Sequence, residues 1–203
     1  MRIPGLAFTL LGSAISTFRF PRLRRADLHP LGLSAPTLRP VMLSDDSWDG
    51  NGLIDITLAY GDPLDLSAPL VEVTTGLPDR IGGFQPPPPH QALTRLAHRD
   101  AAVEQHDVRG LEFDPEEPES DPGGPVTFHD AQVMVSGEPY QIQVLSHLHY
   151  QAARFVHDST MTIIVARHHP LDTLELAPIP SIDPYLTGYT DFCRRMARHG
   201  WHI

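Results

Sequence analysis

Hydrophobic and polar positions first fall into step at Ile54, Ile56, Leu58 and Tyr60, which alternate with Asp55, Thr57 and Ala59. A period of two marks a strand with one buried face, and "LVEVTT" from Leu70 reads as its neighbour. The period changes after the proline run Pro86 to Pro89. From His90 to Val108 a helix is predicted, with Leu93, Leu96, Ala97 and Ala101 on one stripe and Gly110 placed to end it. Asp100 interrupts that stripe.

Alternation returns after Gly124. "AQVMVSGEPYQIQVL" predicts a hairpin turning at Gly137 and Glu138, because glycine at the first central position suits a type II′ turn. That register pairs Val135 with Tyr140, Val133 with Ile142 and Ala131 with Val144, and puts Gln132, Gln141 and Gln143 on the opposite, polar face. A second hairpin is predicted at Asp158 and Ser159, pairing Val156 with Met161, Arg154 with Ile163 and Ala152 with Val165, with His157, Thr160 and Thr162 on the other face. "LDTLELAPI" from Leu171 is a further strand. A closing helix starts at Asp183 as N-cap, with Pro184 in its first position and Tyr185, Tyr189, Phe192, Cys193, Met196 and Ala197 at helical spacing. The elements together predict an α+β fold: an antiparallel sheet built from hairpins, two helices packed on one face, and long Pro/Gly-rich connections.

Charge divides the chain. Residues 1–42 hold six arginines and one acid, a net +5, while residues 43–203 hold nine arginines and 24 acids, a net −15; the two give the overall −10. The expectation is a basic, poorly ordered N-terminal arm over residues 1–42 and a single domain over 43–203, with an acidic, mobile loop at 112–124. The short apolar run from Ile3 to Ile15 behind Arg2 is signal-like, which gives a secreted protein as the minority alternative to a cytoplasmic one. A translation start at Met42 is a further alternative. No lysine occurs anywhere in the chain, a bias typical of GC-rich bacterial coding. The acidic body argues against nucleic-acid binding, which needs cations to neutralise phosphates, and no apolar run is long enough to span a bilayer.

One stretch holds candidate chemistry. Between Ser146 and His169 stand five of the twelve histidines. If the strand through Ile142 and Val144 continues, His147 and His149 share its polar face, and His157 could add a third imidazole to a His₃ set for zinc or another divalent transition metal. The same positions are better explained as surface and turn histidines without a ligand, since no acidic residue lies between Ser146 and His157 to orient an imidazole. Cys193 is the lone cysteine, on the apolar side of its helix, which suits a core thiol better than a nucleophile. "DDSWDGNG" resembles part of a calcium loop at Asp45, Asp46 and Asp49 but lacks the closing acid, since Ile56 stands in its place. Phosphate-loop, nucleophile-elbow and H-E-x-x-H patterns are missing. The sequence therefore points to a non-catalytic binding or interaction domain with an unnamed protein partner and no expected cofactor. The alternative is a metal-dependent, hydrolase-like enzyme built on His147, His149 and His157.

Overall fold

The computed structural model describes residues 30–47, 54–76, 88–105, 125–158, 160–181 and 183–198. In chain order they form β1 (Leu31–Leu33), β2 (Pro40–Ser47), β3 (Ile54–Gly61), β4 (Leu70–Gly76), α1 (Pro89–Gln105), β5 (Thr127–Val135), β6 (Glu138–His147), β7 (Tyr150–His157), β8 (Thr160–Arg167), a 3-10 turn at Leu171–Thr173, β9 (Glu175–Pro178) and α2 (Asp183–Arg198). All nine strands belong to one sheet, ordered β1-β9-β5-β6-β7-β8-β4-β3-β2. Every pairing is antiparallel except β5 with β9, so the sheet is mixed rather than purely antiparallel. None of the described helices is long and apolar enough to cross a membrane.

The sheet has to curl. Laid flat, nine strands would separate β1 from β2 by about 38 Å, yet residues 34–39, which join them, reach at most about 24 Å. The curl brings β1 over the inner face of β3 and β4. There the Leu31 N–H donates to Thr75 Oγ1 at 3.1 Å and the Leu33 N–H to the Tyr60 hydroxyl at 2.9 Å. Leu58, Tyr60, Val71, Val73, Val133, Val144 and Ile164 fill the inner face with Leu31. A second cluster lies on the other face, where Leu93 and Leu96 of α1 and Phe192 and Met196 of α2 meet Val41, Ala59, Leu70, Leu145 and Val165.

The boundary expected at Leu43 falls inside β2. Leu31 and Val41 are buried and lie in paired strands, so β1 and the start of β2 belong to the sheet despite the basic character of the segment. The rest of the expected arm, the acidic stretch 112–124, the start of the proline run and Gly110 lie outside the described residues.

Two local findings bear on the expected sheet pattern, and the first corrects it. The first hairpin turns at Ser136 and Gly137, both with positive φ (53° and 83°), which is the type I′ arrangement whose twist matches the flanking strands. The turn moves by one residue, so the register moves by two: Val133 faces Tyr140 and Ala131 faces Ile142. An even shift leaves every side chain on its expected face, and Val133, Val135, Ile142 and Val144 are all buried. The second finding adds burial at Thr160 and Thr162 to a face that the pairing had placed. The β7–β8 register is the expected one, but the curl turns their face inward, and both threonines are buried beside Phe155 and Ile164.

α2 runs along β2 and approaches it closely. A side-chain carbon at Gly188 would lie 2.0 Å from the Pro40 carbonyl oxygen, so only glycine fits there.

Candidate functional site

The β6–β7 turn decides where the histidines go. β6 ends at His147 and turns through Leu148, whose φ of 53° places it in the left-handed region. His147 is buried instead of facing solvent, with Nδ1 3.4 Å from the Pro125 carbonyl oxygen. His149 stands exposed at the turn, its ring stacked on that of His168 at 4.3 Å and 10° and tilted against Tyr150 at 4.1 Å. The backbone secures the stack, because the His168 N–H donates to the His149 carbonyl at 2.9 Å. His157 closes β7 at its other end, where Nδ1 lies 2.9 Å from the Tyr140 hydroxyl. Seven residue steps of extended chain separate Tyr150 from His157, about 23 Å. The fold thus brings His147 and His149 to one end of the sheet, adds His168 there, and leaves His157 at the opposite end.

Burial, and then the neighbouring His168, hold the His149 imidazole below its ordinary value of 6.5. A histidine whose folded pKa is depressed contributes stability that is complete above its unfolded pKa and is lost as pH falls through that value toward the folded one. The chain should therefore melt lower at pH 5 than at pH 7, and His149→Gln should reduce the difference; thermal melts of both proteins across this window check it.

Beside the turn lies a buried polar network that the sequence pattern did not reveal. Arg167, fully buried at the end of β8, donates from Nη1 to Asp100 Oδ1 of α1 at 2.7 Å. The Tyr150 hydroxyl donates to the other carboxylate oxygen, Oδ2, at 3.0 Å. The remaining guanidinium nitrogens reach the β3–β4 loop: Nη2 to the carbonyls of Asp62 (3.2 Å) and Asp65 (2.6 Å), and Nε to that of Ala68 (3.3 Å). Burial and the adjacent Asp100 carboxylate push the Tyr150 hydroxyl well above the usual tyrosine range, so it stays a donor. Next to it Arg99 pairs with Glu72. Every nitrogen of Arg167 has a partner, and the network ties α1, β7, β8 and the loop together, while Arg99 Nε beside it is buried without a hydrogen-bond partner among the described residues. The signal was Asp100 itself: an acid inside an apolar helical stripe calls for a buried cation, but nothing local said that the cation was Arg167.

Cys193 is half-buried on α2, and burial raises its thiol above the ordinary value. That works against thiolate formation and a nucleophilic role.

A different surface has no partner among the described residues. β9 pairs with β5 only at Met134 and Val135, so from Thr127 to Val133 no described strand lies along the outer edge of β5. The Met134 and Ser136 N–H groups point to that side, since they donate to the carbonyls of Leu174 and Leu176. By alternation, Phe128, Asp130 and Gln132 also direct their N–H and C=O groups outward. Phe128 is 65% exposed and Val126 40%. Behind Phe128 a groove of about 250 Å³ runs toward the start of α1, lined by Pro89, His90, Phe128, Gln143, Leu145 and Arg154. The sequence did not mark this edge, because which stretch of β5 goes unpaired depends on where distant β9 lands. No protein family, curated protein or solved structure matches this chain.

Proposed function

We propose that this chain is a non-catalytic interaction domain that receives an extended segment of a partner protein along the open edge of β5. The observation that carries the reading is the edge itself: outward backbone groups at Phe128, Asp130 and Gln132 beside exposed Val126 and Phe128. An edge left unpaired among the described residues is a template for strand addition, in which backbone hydrogen bonds supply affinity and alternate side chains supply specificity. The rival reading, a metal-dependent hydrolase, needs the imidazoles of His147, His149 and His157 to meet at one ion, and their positions at opposite ends of β7 do not favour it.

A displayed library of random ten-residue peptides provides the test. Selected peptides should shift the backbone amide resonances of Phe128, Asp130 and Gln132, and both Gln132→Pro and Phe128→Glu should abolish binding. Proline at 132 removes only an outward N–H, so the variant should fold and melt like the parent. Leu148→Ser, which alters an exposed apolar side chain at the β6–β7 turn, should leave binding unchanged. Peptides that shift resonances elsewhere, or that bind the Gln132→Pro and Phe128→Glu proteins as well as the parent, would remove the reading.

A further inference from the structure

Resting on that reading, we infer that the segment received by β5 is cationic: an extended stretch of another protein with an arginine or lysine two positions from an apolar residue. The berth is short and its ends differ. At one end it opens past Val126. At the other it is closed by β9, which takes over the pairing at Met134, and by the 3-10 turn Leu171–Thr173, which packs against β5. The stretch between, Thr127 to Val133, is seven residues long.

Acids dominate the charge beside this berth, and the one arginine near it, Arg154, lines the groove behind Phe128. Residues 125–147 and 170–181, which comprise β5, β6, the 3-10 turn and β9, contain four acids, Asp130, Glu138, Asp172 and Glu175, and no arginine, in a chain without lysine. All four are exposed. Among the described residues none of the four forms an ion pair. Asp130 lies on the edge strand itself, Asp172 in the turn that closes the berth, and Glu175 opposite Met134 just beyond. Arg154 stands on β7, two strands inward from the edge strand that carries Asp130.

Alternation then fixes the pattern a guest must carry. Val126, Phe128 and Asp130 share one face of β5, with Thr127, His129 and Ala131 on the other. A guest strand places its own alternate side chains beside the same row. One of them meets Phe128 and Val126, where burying apolar surface is favourable. The next one along meets Asp130 toward the acidic end, where like charge would be repelled and a cation attracted.

Two peptides separate this inference from the reading beneath it. The first is acetylated and amidated Thr-Val-Thr-Arg-Thr-Val-Thr, and the second replaces its arginine by glutamate. Titrated against the full chain at low salt, the arginine peptide should bind with amide shifts at Phe128, Asp130 and Gln132. The glutamate peptide should bind about tenfold more weakly or less, and added salt should narrow the gap. Asp130→Arg should reverse the preference. Equal binding of both peptides at the edge would overturn the cationic guest and leave strand addition standing. Binding of neither would overturn both, and an arginine preference unchanged by Asp130→Arg would show attraction to the acidic body at large and overturn the assignment to β5.

Discussion

Asp100→Ala should destabilise the fold by about 3 to 5 kcal/mol, the loss typical of breaking one side of a buried ion pair. Arg167 is fully enclosed and keeps its charge, so without Asp100 it retains only carbonyl partners in the Asp62–Ala68 loop. The Tyr150 hydroxyl loses its acceptor in the same step. Asp100→Asn keeps an acceptor but not the charge and should fall between alanine and the parent. The pair replacement Asp100→Leu with Arg167→Met should cost far less than the sum of its parts, since similar-sized apolar residues replace both charges at once. The half-exposed Arg195–Asp62 pair gives the contrast: Arg195→Ala should cost no more than about 1 kcal/mol. Urea unfolding of these proteins measures all four. An Asp100→Ala protein as stable as the parent would show that the network contributes nothing net.

Phe192→Ala should cost about 3 to 5 kcal/mol as well, for a different reason. Phe192 is buried between α2 and the sheet with Val41, Ala59 and Leu70. The strands around it cannot collapse into the vacated space, because Gly188 already holds helix and strand at closest approach over Pro40. The loss is thus both transfer energy and cavity. Two residues along the helix, Arg194 projects into solvent, where its partner Asp191 is itself partly exposed; Arg194→Ala should change stability by less than about 0.5 kcal/mol. Equal effects of the two substitutions in denaturant titrations would mean that the helix presents another face to the sheet.

Much of this was legible in local pattern, and the reasons for the rest are physical. Alternation at Ile56, Leu58 and Tyr60 found β3 and its inner face, although Ala59 on the other face is buried as well, and the apolar spacing of Tyr185, Phe192 and Met196 found α2. The β7–β8 register followed from one turn. What failed depended on partners far along the chain. Leu31 is buried by strands that start at Glu175 and Leu70, so its basic surroundings misled. The outer face of β6 changes character at Leu145, where α1 begins to cover it, and no period within β6 could announce this. His147 and His149 were read on one face because the strand was extended past its end; Leu148 in a left-handed conformation breaks the alternation between them.

The clasp formed by β1 sets an order on how the chain can acquire this shape. The hairpins β5–β6 and β7–β8 join residues a few positions apart, whereas β1 must find β9 across more than 140 residues and then reach the hydroxyls of Thr75 and Tyr60. Contacts so distant cost loop entropy before they return energy, and they slow folding in proportion. Until β1 arrives, the inner faces of β3 and β4 lie open to water on that side. Leu31 to Leu33 are therefore expected to engage late, and slower folding with more self-association after substitution of Leu31, read in refolding kinetics at rising concentration, would check it.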